Sequence, residues 1–366
     1  MDHLNKNVVT ETTKIPKIYN TNFAAAFYFF AFMFLVVYTL TSLNNILTPI
    51  AIAILIWFLI NALANHIRKI PYFNSNVGRE LAIPISLILI VLLILQMGSF
   101  IASSMVELSS TIAQIDDKFN SLLSKLSEMT GLDISLKFEK LFEQFSISSI
   151  LNKVIAAFGV IVSNILQILL YVLFLLLDQR YFNAKINALF SDFDNRQKAK
   201  EVLTSISKSI RMYLSITTII SLCTGILVYI ACVLFGLEGA VLWGFIAFVL
   251  NFIPTIGSII AVVFPTLFAL VSFQELSQVL FLLIVLGVIQ FVIGNIIYPK
   301  MMGNKLNISQ FIVILSLVIW GAMWGTVGMF LSVPLMMILL IILSQFENTK
   351  SLAIIISGDG KISSNS

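Results

Sequence analysis

The chain has 366 residues, of which 59% are hydrophobic and only 11% are charged, and its mean hydropathy is +1.00. This composition excludes a soluble globular domain and predicts an all-α polytopic membrane protein in contact with the lipid bilayer. The net charge of +4 comes from lysines and arginines spread over the loops, without the basic stripe that binds nucleic acid, so we expect no nucleic-acid partner.

Apolar runs along the chain predict about six full spanning helices. The first run follows a polar tail that lacks a small-residue cleavage signature, so we interpret it as an uncleaved signal anchor. The predicted spans cover residues 23–42, 47–64, 81–103, 155–177, 213–235 and 277–298.

The loop charges predict the orientation of these spans. Connections 65–80 and 178–212 are net positive, whereas 106–154 is net negative. Because cytoplasmic loops carry the excess of Lys and Arg, both positive connections and both termini are predicted to be cytoplasmic. The predicted organisation is a cytoplasmic tail (1–22), an N-terminal three-helix membrane region (23–105), an extracytoplasmic helical segment (106–154), a fourth span with a cytoplasmic amphipathic interfacial helix (155–212), a transport core with two hairpins (213–346) and a second, solvated cytoplasmic tail (347–366).

The extracytoplasmic segment contains apolar residues at alternating spacings of four and three, which is the pattern of a coiled-coil seam. Two explanations stay open: the helix packs on the helix that follows it, or it forms a contact between subunits. The seam consists of Leu108, Ile112, Ile115, Phe119, Leu122, Leu126 and Met129.

Two uncharged segments, residues 240–272 and 311–343, are broken near their middle by Pro or Gly. As one straight helix each would extend about 50 Å, against a hydrocarbon core of about 30 Å. Two full crossings need about 40 apolar residues, which is more than either segment offers. Each segment is therefore predicted to form a re-entrant hairpin of two half-helices, whose tip faces protein or a water-filled cavity.

The two hairpins are predicted to enter the membrane from opposite sides, as in the inverted repeats of transporters. The Thr-Ile-Gly of residues 255–257 is echoed by the Thr-Val-Gly of 326–328, and a proline follows each. The alternative is one kinked, tilted helix for each segment. That arrangement would place Lys300 and Lys305 outside, against the distribution of positive charge found in membrane proteins.

The hairpin segments and the predicted span 277–298 between them contain no Asp, Glu, Lys, Arg or His. Proton relays and sites for charged solutes use such groups, so neither is expected here. No catalytic triad, metal-ligand cluster or phosphate-binding loop can be assembled either, which predicts a protein that is not an enzyme and has no metal or cofactor. Cys223 and Cys232 lie in one span without a disulfide or metal pattern.

Neutral polar groups and freed backbone suit a small, uncharged, hydroxyl-rich solute, because amides, hydroxyls and carbonyls can replace its hydrogen bonds to water. The alternative for each residue is close helix packing, or for Trp a position at the membrane interface. The predicted substrate-binding residues are Asn251, Pro254, Thr255, Gly257, Ser258, Gln290, Asn295, Trp320, Trp324 and Thr326. The predicted hinge positions are Pro299, Gly321, Gly325, Gly328 and Pro334.

Three strings resemble the autoinducer-2 exporter family: NFIPTIGSIIA (251–261), GNIIYPKMMGNKLNIS (294–309) and IWGAMWGTVGMFLSVPL (319–335). The resemblance implies a multi-pass protein of the bacterial inner membrane that moves the quorum-sensing signal autoinducer-2 and forms homo-oligomers. Other members are proposed to exchange Na⁺ or Li⁺ for protons. The wider family often has an acidic residue shortly before the Asn of its Asn-x-x-x-Pro motif, where this chain has residues 292–294, Val-Ile-Gly. That departure puts cation exchange in doubt.

Three functions follow as hypotheses. The first is export of a small neutral hydroxylated signal such as autoinducer-2 by alternating access. The second is a Na⁺(Li⁺)/H⁺ antiporter, with carbonyl oxygens at the hairpin tips holding the ion. The third is a membrane scaffold that transports nothing and binds a partner through the seam in 106–154.

Overall fold

The computed structural model describes residues 21–71, 78, 80–96, 98, 99, 163–303 and 307–361. These residues form helices and no β-sheet, which confirms the predicted all-α membrane fold. The predicted seam in 106–154 and the N-terminal tail to residue 20 lie outside the described residues. The helices are α1 (Thr21–Ser42), α2 (Asn44–Ile67), α3 (Glu80–Gln96), α4 (Ile165–Asp178), α5 (Phe182–Leu189), α6 (Phe193–Leu234), α7 (Ala240–Leu250), α8 (Ile256–Ser272), α9 (Leu276–Val292), α10 (Tyr298–Met302), α11 (Gln310–Ser344) and α12 (Glu347–Ile356).

Six helical stretches in the described part of the chain are long and apolar enough to cross a membrane. Five of them coincide with predicted spans: α1, α2, α4 with α5, α6, and α9 with α10. The sixth is α11, which is the second predicted broken segment. The predicted third span is described as helix α3 up to residue 96, and the predicted fourth span from residue 163 onward.

Helix α1 belongs to a unit that ends at Asn44 and is separate from the unit that begins at Asn45. The helix carries aromatic and aliphatic side chains around its whole circumference, and none of its described side chains is buried within this unit. Such a surface suits lipid, in agreement with the predicted anchor.

Helix α6 has 42 residues and is continuous across the boundary that we predicted at residues 212 and 213. It begins with a capped turn, in which the Asp192 carboxylate accepts a hydrogen bond of 3.1 Å from the Asn195 N–H. Charged side chains occupy its first part, and its row of buried residues begins at Ile210. One rigid rod of about 63 Å therefore joins a charged region to a membrane span.

The first hairpin consists of α7, with 11 residues, and α8, with 17 residues. At about 17 Å and 26 Å, neither arm reaches across a 30 Å hydrocarbon core. The rings of Trp243 and Phe268 lie 5.4 Å apart and both side chains are buried, which shows that the arms pack side by side.

Helix α7 also packs closely on α6, through one glycine from each helix. A Cβ built on Gly225 would lie 2.7 Å from the carbonyl oxygen of Gly244, and a Cβ on Gly244 would lie 2.7 Å from that of Gly225. Small residues at a helix crossing let the two backbones approach and maximise van der Waals contact, which is the main attraction between helices in lipid.

Helix α11 has 35 residues, but its backbone leaves helical geometry at Trp324 and Gly325. The Ser316 hydroxyl donates a hydrogen bond of 3.0 Å to the Ser332 carbonyl oxygen. In a straight helix these residues would be about 24 Å apart, so the segment folds back on itself. It is the second hairpin, and the alternative of a single kinked helix for this segment is excluded.

The two hairpins enter from opposite ends of the rod formed by α9, a π-helical turn (Ile293–Ile297) and α10. This rod has 27 residues, or about 40 Å of helix. The first hairpin ends just before Leu276, at one end of the rod. The second hairpin starts shortly after Met302, at the other end. The two hairpins are therefore connected to opposite ends of the rod, as the predicted opposite orientation requires.

The segment after residue 346, expected to be a solvated tail, forms helix α12 and then docks on the loop before α11. The Asn307 Oδ1 accepts hydrogen bonds from the N–H groups of Gly358 (3.1 Å) and Asp359 (3.3 Å). The Ser309 N–H donates to the Ile356 carbonyl oxygen at 2.9 Å. Helix α12 has 10 residues, about 15 Å, so it holds both ends of the second hairpin on one side.

We predict that cysteines at positions 316 and 332 react with each other. In a Cys223→Ala/Cys232→Ala background, a Ser316→Cys/Ser332→Cys variant should lose both free thiols on oxidation or on treatment with a short thiol crosslinker. Mass spectrometry after maleimide labelling measures this loss. A matched Ser316→Cys/Ser344→Cys variant should keep both thiols. Two reactive thiols in the first variant would mean that α11 is straight.

We also predict that Gly225→Ala and Gly244→Ala each lower the thermal unfolding temperature of the purified protein. An added methyl group meets a backbone oxygen that cannot move away, and overpacking of this kind costs about 1–3 kcal/mol. Gly287→Ala is the control, because a Cβ at Gly287 has no neighbour within 4 Å. That variant should be neutral or slightly stabilising. Equal effects at all three positions would contradict close packing of α6 on α7.

Candidate functional site

The tip of the first hairpin is an irregular turn of residues 251–255 between α7 and α8. Two hydrogen bonds close it, from the Ile256 N–H to the Pro254 carbonyl oxygen (2.7 Å) and from the Gly257 N–H to the Ile253 carbonyl oxygen (3.0 Å). Thr255 has a φ of 65°, which costs a β-branched residue about 1–3 kcal/mol. The hairpin therefore stores backbone strain at its tip, on an exposed threonine.

A glycine at each tip meets a carbonyl oxygen of the opposite arm. A Cβ on Gly257 would lie 1.8 Å from the Leu250 oxygen, and a Cβ on Gly328 would lie 1.9 Å from the Trp320 oxygen. A residue with positive φ lies two positions before the first glycine, at Thr255, and three positions before the second, at Gly325. The glycines of the echoed strings 255–257 and 326–328 therefore make the same kind of contact, although the strained position is shifted by one residue.

The two hairpins meet through an aromatic pair. The ring of Phe252, in the first tip, stacks on the ring of Phe330, just beyond the second tip, with centroids 4.8 Å apart and an interplanar angle of 23°. The Phe252 side chain is buried. Stacked aromatic rings have a preferred geometry, so this contact fixes the position of one tip relative to the other.

Helix α6 contributes polar residues that the sequence analysis did not select. The Asn251 Nδ2 donates a hydrogen bond of 3.1 Å to the Ser221 hydroxyl, and Ser221 is fully buried. Thr217 and Thr224 lie on the same buried face of α6. The signal that could have identified them is the helical spacing of Tyr213, Thr217, Ser221 and Thr224 in an otherwise apolar span.

Gln290 is the predicted site residue with the most unusual environment. Only 7% of it is exposed, and both atoms of its amide are buried without a hydrogen-bond partner. It continues the face of α9 on which Leu282 and Leu286 are buried in the core formed with α6, α7 and α8. Buried amides in proteins are nearly always hydrogen-bonded, so this orphaned group is an exception that needs an explanation.

The structure places Asn295 apart from this buried polar group. Its side chain is exposed and donates a hydrogen bond of 3.2 Å to the Phe291 carbonyl oxygen of its own helix. Asn295 lies in the π-helical turn that precedes Pro299. A proline clashes with the carbonyl group four residues before it, and a wider turn relieves that clash. The Asn-x-x-x-Pro motif therefore produces a local distortion of the α9–α10 rod.

The remaining predicted residues lie at the tips or in the arms of the hairpins, except Pro299, which lies in α10. Trp320 and Trp324 have ring centroids 5.1 Å apart, and Trp324 is buried. A Cβ on Gly321 would lie 2.9 Å from the Met329 side chain in the opposite arm. Pro254, Ser258 and Thr326 are partly exposed, Gly325 and Pro299 are exposed, and Pro334 is buried.

The electrostatics of this region are those of neutral groups alone. The sequences of residues 240–272, 276–297 and 311–343 contain no Asp, Glu, Lys, Arg or His. Among the described residues, no three His, Cys, Asp or Glu side chains are placed to hold a metal ion. What the arrangement can do is form hydrogen bonds with an uncharged polar molecule.

The comparisons with known proteins agree with this architecture. The family model of the AI-2E family transporters matches residues 27–348. The chain is 30% identical over 320 residues to the AI-2 transport protein TqsA of Escherichia coli strain K12, covering 86% of this chain and 90% of that protein. A Haemophilus influenzae relative, described only as a candidate transport protein, is 34% identical over 297 residues, covering 78% of this chain and 82% of that protein.

A further relative, YhhT of Escherichia coli strain K12, is 28% identical over 294 residues and is also described only as a candidate transport protein. The resemblance predicted from the three motifs is confirmed over nearly the whole chain. The polytopic helical fold, the paired broken helices and the family match agree with one another. The chain belongs to the AI-2E family of transporters.

Proposed function

We propose that this protein exports a small neutral hydroxylated signal such as autoinducer-2 across the bacterial inner membrane. The observation that carries the proposal is the meeting of two broken helices from opposite ends of the α9–α10 rod, through Phe252 and Phe330. Broken helices that meet between repeats form the substrate sites of many transporters. The relative TqsA is named as an AI-2 transport protein, which supports this choice of solute.

The depth of the first tip supports a re-entrant hairpin. Asn251 bonds to Ser221, which lies about 20 Å of helix before the end of α6 at Leu234. For a hydrocarbon core of about 30 Å, that distance puts the tip well inside the membrane. Irregular backbone at such depth needs protein or water around it, and the neutral polar groups near the tip meet this need.

Alternating access is the mechanism that we propose. In one state the first hairpin closes the path to one side, and in the other state the second hairpin closes the path to the opposite side. The N- and C-termini would be cytoplasmic, as the loop charges indicate. The resemblance to the family suggests that the working form is a homo-oligomer. No observation favours the antiporter, because the hairpins and the residues between Leu276 and Ile297 contain no carboxylate that could carry a proton.

The proposed solute is tested by transport in vesicles that contain the purified full-length chain. We expect saturable movement of labelled autoinducer-2 down its gradient, and cells lacking the protein should accumulate the signal. An imposed pH gradient with added Na⁺ or Li⁺ should produce no proton flux. Proton flux that depends on these cations, without movement of autoinducer-2, would replace the proposal with the antiporter.

The proposed mechanism predicts that tethering the tips blocks transport. In the cysteine-free background, a Phe252→Cys/Phe330→Cys variant loses the stacking contact and should keep part of the wild-type activity when reduced. Treatment with a short reducible crosslinker should remove most of that activity, and reduction should restore it. The control is the Ser316→Cys/Ser332→Cys variant, in which the same reagent links the arms of one hairpin. That variant should stay active. Full activity of the tethered tips would rule out a mechanism in which they separate.

A further inference from the structure

A row of buried polar side chains runs along α6, from the end of its charged part to the residue that bonds to the first hairpin tip. Tyr213, Thr217, Ser221 and Thr224 are exposed by 2%, 1%, 0% and 0%, respectively. Their spacing puts them on one face of the helix. The row begins just after the charged part of α6 and ends beside the tip, where Ser221 bonds to Asn251.

The members of this row differ in whether their hydrogen bonds are satisfied. The Thr224 hydroxyl donates to the Ile220 carbonyl oxygen at 2.8 Å, and Ser221 is bonded to Asn251. The Thr217 hydroxyl lies near the phenol groups of Tyr213 and Tyr298 but forms no hydrogen bond of acceptable geometry. Among the described residues, Arg211 Nε and the Thr218 hydroxyl are also buried without a partner, but Thr217 and Gln290 are the two whose whole side chains are buried as well.

The register of the helices brings these two side chains to one region. Helices α6 and α9–α10 run antiparallel and are in contact, and Tyr213 lies near Tyr298. Along the α9–α10 rod, Gln290 lies eight residues, or about 12 Å, from Tyr298. Along α6, Ser221 lies the same distance from Tyr213. Gln290 is thus level with Ser221, with Thr217 one turn away. By this register, both orphaned groups lie at about the depth of Ser221, which is the residue that bonds to the first tip.

Two unpaired polar groups at one place in a membrane interior carry a free-energy cost that well-packed apolar side chains would avoid. A ligand that completes their hydrogen bonds removes this cost. The Gln290 amide offers one donor and one acceptor side by side, and the Thr217 hydroxyl offers both roles. Two adjacent hydroxyl groups on a neutral molecule match this set, and neither Gln290 nor Thr217 offers a counter-charge to a charged molecule.

We propose that Gln290 and Thr217 form the binding station for the transported solute, and that they select neutral molecules with adjacent hydroxyl groups. This inference rests on the proposed function and specifies its substrate class. It adds Thr217 of α6 to the site and gives Gln290 the main role in recognition. Ser221 and Asn251 hold the hairpin tip beside the station through their own hydrogen bond.

The test combines transport kinetics with thermal stability of the full-length protein. Gln290→Met keeps the length of the side chain and removes the amide. It should raise the concentration of autoinducer-2 that half-saturates transport about tenfold, the effect of losing one or two hydrogen bonds. Its unfolding temperature without ligand should equal or exceed that of the wild type, because an unpaired amide has been removed. Thr217→Val should act in the same direction, by about threefold.

Thr266→Val is the matched control. Thr266 is 7% exposed like Gln290, but its hydroxyl is already satisfied by the Val262 carbonyl oxygen at 2.8 Å. This variant should keep the half-saturating concentration of the wild type. A Gln290→Met variant with wild-type kinetics would overturn the proposal. So would a variant whose lost transport is accompanied by a lower unfolding temperature, because that result indicates a structural role.

A binding measurement separates this inference from the proposed function. We expect cis-1,2-cyclopentanediol, used as a probe, to raise the unfolding temperature of the wild type but not of Gln290→Met, and cyclopentanol to raise neither. If the wild type does not move autoinducer-2 but shows this pattern, the proposed solute is wrong and the station stands. If neither autoinducer-2 nor the diol stabilises the wild type, the station is wrong.

Discussion

The architecture depends on one constraint, which is that every backbone N–H and C=O group inside a bilayer needs a partner. A helix satisfies this need by itself, but a hairpin tip does not. At both tips a glycine lies directly over a carbonyl oxygen of the opposite arm, Gly257 over Leu250 and Gly328 over Trp320. At the first tip that oxygen accepts a hydrogen bond of 2.8 Å from the Ile253 N–H. The absence of a side chain on each glycine lets the two arms approach to about one backbone width. The tips can then be small enough to meet in the middle of the protein.

The surrounding helices supply what the tips lack. Helix α6 gives the first tip a hydroxyl partner at Ser221, and its glycine contact with α7 brings the two backbones close enough for that bond. At the second tip, Val327 packs against the cluster formed by α2 and α4. At the base of the second hairpin, α12 and Asn307 connect the two ends of that hairpin. Neighbouring elements therefore support the first hairpin at its tip and along α7, and the second hairpin at both its tip and its base.

Much of this fold could be predicted because the decisive signals are local. The hairpins could be predicted from two uncharged runs that are too long for one membrane crossing and too short for two. Each run also has a Pro or Gly near its middle. The first break lies at the predicted residues 254–257, and the second lies at Gly325, one of three glycines that the sequence offered as hinge positions. Composition alone also predicted that the region between the tips is neutral, since that feature depends on which residues are absent.

What the sequence did not reveal depends on contacts between distant residues. The sequence analysis gave no role to Asn307, because its partners at 358–361 follow more than fifty positions later. The hydroxyls of α6 were overlooked because Ser and Thr in a membrane helix ordinarily bond to their own backbone, as Thr224 does. Only the packing of α6 on its neighbours distinguishes Thr217 and Ser221 from such residues. For Gln290, the sequence suggested a polar contact, but only the structure shows that its amide is buried and unpaired.

The neutrality of the hairpins determines how they respond to voltage. A membrane potential of 100 mV does about 2.3 kcal/mol of work on each elementary charge that crosses it. The hairpin segments carry no formal charge to be moved. Rearrangement of these elements would therefore be insensitive to the electrical state of the cell, and a depolarised membrane would not stop it. Whatever drives the motion must act by chemical means, through concentration and contact.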